Sequence, residues 1–348
     1  MAHNLVLGID LGTATIATAL AETGEQPTPL PIINNQPHYP ATLLVDTNGE
    51  IKRPDYTGDT TQHVTNLTTH LGQPPQIIAN TPWGANALIE MAIRPAIDAA
   101  TDEAGQRPTH IAAVVPTHWP DYITTAYTKA LETTGLPVTT IGADEATAHA
   151  ATLNSTTTGA VTCIDFGENK ATLTMALPKE NTHIPDIHRA DPNGGRRHLD
   201  TELTTRIATH LDPTFTPTPQ WETQAHTVGQ QLRTKAHATT HPEDLIEITL
   251  PAPFSTINIS AGQVSDLVED LAALTLKRLT ANPDITHIWN VDEDDNTPRS
   301  LLITGGFSTD KAVGTAIRTT IGAWRAHPNP QAIIATAAAD LVESTLNA

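Results

Sequence analysis

A chain of 348 residues is too long for one ordinary hydrophobic core, which predicts two domains or two lobes of one fold. Apolar residues make up 39% but aromatic ones only 4%, so the core must be built from Ala, Val, Ile and Leu. The net charge of −19 excludes non-specific attraction to nucleic acid or anionic lipid, and no apolar run is long enough for a membrane helix, so no membrane insertion is expected.

The N-terminus carries no basic, apolar leader, and a cytoplasmic location is expected. Leu5–Asp10 reads as a buried strand and Thr15–Ala21 as its hairpin partner, turning at Gly12. Residues 24–75 are rich in Pro, Asn and Thr and read as a loop-rich insertion with short strands near Ala41–Val45. Asn86–Ala100 has helical spacing with Pro95 inside it. His110–Val115 is a β-branched strand, Asp121–Thr134 a helix stopped by Gly135, Val138–Ile141 a strand and Asp144–Leu153 a helix. Strand, helix, strand in this order predicts a parallel sheet with right-handed crossovers.

Ala160–Ile164 and Ala171–Leu177 form a second hairpin, and a strand near Ile184–His188 leads to Asn193-Gly194-Gly195. Cys163 is the only cysteine, which excludes an intrachain disulfide and suits a reducing compartment. Two helices follow at Leu199–Leu211 and Gln220–Thr239, then a strand pair at Leu245–Leu250 and Thr256–Ile259. Ser260 and Gln263 form a capping-box pattern that opens a helix to about Leu279. The acidic run Asp292–Asp295 reads as a solvated loop. Leu301–Thr304 is a strand, Gly305-Gly306 a turn, Asp310–Trp324 a helix and Gln331–Leu346 a last, Ala-rich helix. His237 and His241 are four apart, but Pro242 ends the helix and nothing completes a metal site.

One phrase occurs twice. Gly8-Ile9-Asp10-Leu11-Gly12-Thr13 returns 155 positions later as Cys163-Ile164-Asp165-Phe166-Gly167-Glu168. Each is an apolar strand ending in Asp, one apolar residue and Gly. Such a turn suits a metal-bound phosphate: Gly lets backbone N–H groups approach the phosphate oxygens, and Asp faces the cation or its water shell. The expected organisation is a duplicated α/β fold. The first lobe is 1–158, including an insertion at about 24–95. The second is 159–348, including a subdomain at about 199–285.

These segments resemble the superfamily of actin, sugar kinases and heat-shock ATPases, and within it the nucleotide-binding domain of the DnaK-type heat-shock chaperones. Beyond the two Asp-Gly turns, the resemblance rests on the Gly194-Gly195 pair, a late Asn-Pro segment and four others. These four are His110–Pro116 through Gly135-Leu136, Ala143–Ala148, Gln231-Leu232-Arg233-Thr234 and Gly305-Gly306-Phe307-Ser308, the last with one residue extra before Ser. Asn329-Pro330-Gln331 is similar to a late Asn-Pro-acid, with Gln for the acid. The resemblance implies a duplicated actin-like ATPase fold, two lobes around a nucleotide cleft. It implies ATP or ADP with magnesium as cofactors, and an unidentified protein partner that reads the nucleotide state. Asp10 and Asp165 would orient the metal through water, and Glu145 would hold its water shell. Gly12, Thr13, Gly167, Gly194 and Gly195 would cradle phosphates, with Lys170 as an added positive charge. Arg233, Gly305, Gly306 and Ser308 would hold the adenosine. No counterpart of the family's peptide-binding domain is expected.

The second turn departs from the family's run of glycines followed by Thr, reading Gly167-Glu168-Asn169-Lys170. At the family's catalytic Lys the best local match, Thr68-Thr69-His70-Leu71-Gly72, offers Thr68. Losing one such preorganised group costs about 10²–10³ in rate, so slow hydrolysis is expected. The alternatives are a pseudo-ATPase scaffold, a filament-forming actin relative or a small-molecule kinase.

Overall fold

The structure, a computed structural model, describes residues 4–153, 159–179, 182–281, 285, 300–322, 325–326 and 329–347. The acidic run Asp292–Asp295 lies outside them. The fold is mixed α/β with several sheets. Two compact units emerge: Met1–Val161 with Met175–Asp186 and His327–Ala348, and Thr162–Thr174 with Ile187–Ala326. Among the described residues no helix is long and apolar enough to cross a membrane.

In the first unit, Leu5–Leu11 pairs antiparallel with Thr15–Glu22 and parallel with His110–Val115, which pairs parallel with Val138–Gly142. The parallel sheet expected from the strand–helix–strand order is therefore present. Every residue from Leu5 to Ile9 is buried, as a strand covered on both faces requires. Helix Ala85–Ala104 buries Leu88, Ile89, Ala92, Ile93, Ala96, Ile97 and Ala100, a stripe of helical period. Helix Asp121–Glu132 ends two residues before the expected stop, and Gly135 follows at φ 80°.

The insertion is made of short pieces. Leu43–Asp46 pairs with Ile51–Lys52 and Thr60–Val64, and Leu67–His70 is a single 3₁₀ turn. The C-terminal helix Ile333–Leu346 belongs to the first unit, whereas the sequence assigned it to the second lobe. Its Ala-rich face has almost no side-chain relief. It packs against Leu5–Leu11, Thr15–Glu22 and His110–Val115, with Ala335 clustered on Ala17 and Ala19.

The five-stranded sheet of the second unit has the order Thr182–Asp191, Ala171–Lys179, Val161–Phe166, Ser300–Thr304, Arg325–Ala326. Met175–Asp186, the far ends of its first two strands, groups with the first unit. Ser260 and Gln263 form the expected capping box, opening helix Ala261–Thr280. Helix Lys311–Thr320 is shorter than the Asp310–Trp324 span expected. Asp310 is its N-cap, and Gly322 follows the C-cap at φ 113°.

Helices Arg196–Leu211 and Pro219–Ala238 pack closely. Gly229 sets their approach, since a Cβ there would stand 1.8 Å from the Asp200 carbonyl oxygen. His226, Gly229 and Arg233 recur at helical spacing, so the three share one face toward Arg196–Leu211. We expect Gly229→Ala to destabilise the protein by about 2 kcal/mol. The backbone clash outweighs the roughly 1 kcal/mol of helix propensity that Ala would contribute. Denaturant melts of the two forms check this, and an unchanged or raised midpoint would refute it.

Candidate functional site

The second unit gathers most of the residues singled out in the sequence. Strands Val161–Phe166 and Ser300–Thr304 are neighbours in the sheet, so Asp165 and Gly305, distant in sequence, meet at one end of it. Thr304 Oγ1 donates to Asp165 Oδ1 at 2.9 Å. A Cβ on Gly305 would stand 2.4 Å from the Phe166 carbonyl oxygen and 2.8 Å from Asp165 Oδ1, and φ there is +87°. Only glycine fits. Burial pushes the Asp165 carboxyl above the usual carboxylate range, opposed by the Thr304 hydrogen bond and by Lys170. Burial likewise lowers the Lys170 ammonium, opposed by Asp165. Lys170 therefore lies within electrostatic reach of Asp165.

Gly167 N–H donates to the Lys170 carbonyl at 3.1 Å and closes the turn. The Gly194-Gly195 pair packs directly on it. A Cβ on Gly195 would come within 2.2 Å of the Asn169–Lys170 peptide, and one on Gly194 within 2.9 Å of Ala171 Cβ. Gly195 is also the N-cap of helix Arg196–Leu211. The first N–H groups of that helix are already used: Arg196 N–H donates to the Gly167 carbonyl and Arg197 N–H to the Glu168 carbonyl, both at 2.9 Å. The Glu168 side chain folds onto the same end, accepting from Arg196 Nε at 2.7 Å. The glycine cradle of the sequence reading is thus a turn bolted to a helix N-terminus.

Arg233 is not a free cation. Its Nε and Nη2 donate to the two oxygens of Asp200 at 2.9 and 3.3 Å, and Nη1 reaches Asp310 Oδ2 at 3.5 Å. Its guanidinium lies 4.7 Å over the ring of Phe307. Phe307 is the extra residue of the Gly305-Gly306-Phe307-Ser308 segment. It is fully buried, packed edge-on to Phe166 at 6.4 Å. Ser308 is buried, its hydroxyl donating to the Gly305 carbonyl at 2.6 Å, and Gly306 is exposed. Asp200, Asp310, Phe307 and Thr304 were not anticipated as partners. Only Asp310 left a signal, an Asp just ahead of a helix, and it does cap Ala312 N–H at 2.9 Å.

A cavity of about 320 Å³ opens beside this network, lined by Arg233, His237, His241, Ser265, Asp266, Asp310 and Lys311 among others. Its size is at the lower end of small-molecule pockets. It is lined by both acids and cations, with hydroxyl groups of Thr239, Thr240 and Ser265. Among the described residues no group of three or more His, Cys, Asp or Glu forms a metal cage.

The first unit holds the remaining predicted residues. Gly12 N–H donates to the Thr15 carbonyl at 2.9 Å, the same closure as at Gly167. Asp10 and Thr13 are half-buried, and Asp10 is near enough to buried Tyr127 to raise its phenol further, on top of the larger effect of burial. Glu145 is exposed in the first turn of helix Ala143–Leu153, its N–H donating to Asp144 Oδ1 at 3.0 Å. Thr68 is half-buried in the 3₁₀ turn.

No family model matches the chain, and no curated protein matches it.

Replacing Arg233 with Met would leave Asp200, whose side chain is 1% exposed, as an uncompensated buried charge. The expected cost is about 3–5 kcal/mol at neutral pH. Burial already raises the Asp200 carboxyl. Without its arginine the folded-state value climbs further, so the deficit shrinks as pH falls and Asp200 protonates. Urea melts at several pH values check this. A loss that is small, or that does not diminish in acid, would show Arg233 to be dispensable to the core.

Proposed function

We propose that the chain is an ATP-binding protein of the duplicated actin-like ATPase fold, related to the nucleotide-binding domain of DnaK-type chaperones. It binds Mg–ATP, hydrolyses it slowly, and presents its nucleotide state to a protein partner. The observation that carries this reading is the convergence of Asp165 and Gly305. Two segments far apart in sequence, each resembling a nucleotide motif, meet at one sheet end through a backbone contact that only glycine permits.

Three further observations support it. The strand order around Val161–Phe166 mirrors that around Leu5–Leu11: a hairpin partner on one side, two strands of the crossover series on the other. The Asp-Gly turns at 10–15 and 165–170 close with the same hydrogen bond. The cavity beside Arg233 and Lys311 has hydroxyl, acidic and basic groups suited to a purine nucleoside. In this reading Asp165 would hold magnesium through its water shell, and the ion would supply charge to offset the phosphates. Asp10, Thr13 and Glu145 carry the corresponding roles in the first unit. Arg233 positions the cavity wall through Asp200 and Asp310, with Phe307 beneath it.

A second reading, a pseudo-ATPase scaffold, is favoured by the turn at Gly167–Lys170. Its carbonyls hold the first N–H groups of helix Arg196–Leu211, which leaves those donors unable to cradle phosphate. Thr68 at the lysine position points the same way.

Calorimetry with ATP and ADP, with and without magnesium, followed by single-turnover hydrolysis, separates the two. Micromolar, magnesium-dependent binding with slow turnover, accelerated by Thr68→Lys, is the expected result. No heat at millimolar nucleotide would overturn it in favour of the scaffold. In the same assay Asp165→Asn should lose the magnesium dependence. It should also melt at or above the wild type by about 1 kcal/mol, because an amide is not penalised by the burial that raises the Asp165 carboxyl.

A further inference from the structure

The cavity beside Arg233 encloses about 320 Å³ between the end of helix Pro219–Ala238 and the starts of helices Ala261–Thr280 and Lys311–Thr320. Part of its lining is buried and aliphatic: Ala236, Ala261, Val264 and Val268. Side chains this small suit a flat, apolar-faced body. Several polar groups of the lining are already used. Asp310 takes Arg233 and Ala312 N–H. Thr239 Oγ1 donates to the Lys235 carbonyl at 2.8 Å, and Ser265 Oγ donates to the Ala261 carbonyl at 3.0 Å. His237, Thr240 and His241 can each donate or accept, so they suit many ligand edges and select none.

Asp266 and Lys311 differ from these. Both line the cavity, both are exposed, and neither forms a hydrogen bond or ion pair with the other or with any described residue. They bring opposite charges into one cavity from two packed helices without closing on each other. An ionised carboxylate can only accept and an ammonium can only donate. A ligand that answers both carries a donor and an acceptor on the edge of a flat apolar body. An aminopurine is built this way, with exocyclic N–H groups and bare ring nitrogens.

We infer that the Asp266 carboxylate accepts from the exocyclic amine of a bound aminopurine and so sets base specificity, while Lys311 donates to a ring nitrogen. Discrimination comes from what the wrong base leaves undone. A purine without the amine turns a C–H toward Asp266, and the carboxylate then gives up water without gaining a donor. The inference rests on the nucleotide reading for the presence of a purine, and adds the group that recognises it.

Calorimetry on the full chain with magnesium tests it, comparing ADP with purine riboside diphosphate, which differs only in lacking the 6-amino group. Wild type is expected to bind ADP about tenfold more tightly. Asp266→Ala should bring the two to within about twofold, mainly by weakening ADP. Asp266 is exposed and Ala is the better helix former, so this variant keeps the fold. Lys311→Met should weaken both ligands alike and leave their ratio in place, because both keep the ring nitrogens. Equal binding of the two ligands by wild type overturns the inference and leaves the nucleotide reading standing. A preference that survives in Asp266→Ala does the same, since the amine is then recognised elsewhere. Binding of neither ligand overturns both readings together.

Discussion

The second unit depends on one backbone contact, the approach of Gly305 to the Phe166 carbonyl. No side chain fits at Gly305, and φ of +87° would itself strain any other residue. Because the chain can turn there, Thr304 stays beside Asp165 and Phe307 drops into the core against Phe166. Phe307 then offers its face to Arg233, whose edges take Asp200 on one helix and Asp310 at the N-cap of another. A single close approach thus fixes a carboxylate, an aromatic plate and a cation in sequence. The helices that line the cavity are held by the last of these.

A core with 4% aromatic residues has few large shapes by which to specify one packing. Arginine–carboxylate pairs supply part of that specificity in the second unit. Arg233 with Asp200, Arg278 with Asp191 and Arg196 with Glu168 each join two elements, and the acid is the more buried member every time. Such pairs contribute little net stability, because desolvation opposes attraction. Their effect is on registry: a misplaced helix would leave a buried acid without its cation, at several kcal/mol. Asp191 shows the pattern locally. It accepts from Asn193 N–H and Arg278, and so holds the turn that delivers Gly194 and Gly195 to the Asn169–Lys170 peptide.

The sequence carried the backbone of this arrangement and little of its side-chain chemistry. Strands such as His110–Val115 were legible because β-branched runs end at Pro or Gly, and the Ser260 capping box because its hydrogen bonds are local. The helix from Asp310 was overextended because its stop depends on Gly322 rather than on periodicity. The C-terminal helix groups with the first unit, a placement the sequence does not carry because an Ala-rich face does not name its partner. Asp165, Gly167, Gly194, Gly195 and Gly305 could be picked out as a group, since glycine marks close approach. The partners of Arg233 could not. Asp200 lies 33 positions away and Asp310 lies 77, and only the helix crossing at Gly229 brings the first of them near. The Ser308 hydroxyl donates to the Gly305 carbonyl, a local bond that the sequence does not announce.

The two Asp-Gly turns show how one shared backbone closure can be given different electrostatic character. Gly12 closes on the Thr15 carbonyl and Gly167 on the Lys170 carbonyl, at 2.9 and 3.1 Å. The residue after each glycine differs: Thr13 in the first, Glu168 in the second. A hydroxyl is neutral and can donate to a phosphate oxygen. A carboxylate can only accept, and at 4 Å it repels each unit of phosphate charge by about 4 kcal/mol at an effective dielectric of 20. That repulsion exceeds what one phosphate–backbone hydrogen bond would return. An ionised Glu168 is therefore tolerable beside a phosphate only if a cation of the protein neutralises it, and Arg196 does so. The same pairing joins the turn to helix Arg196–Leu211 and makes the acid harmless to the fold. The residue after the glycine thus decides whether the turn presents a neutral hydroxyl or a carboxylate that answers its own helix.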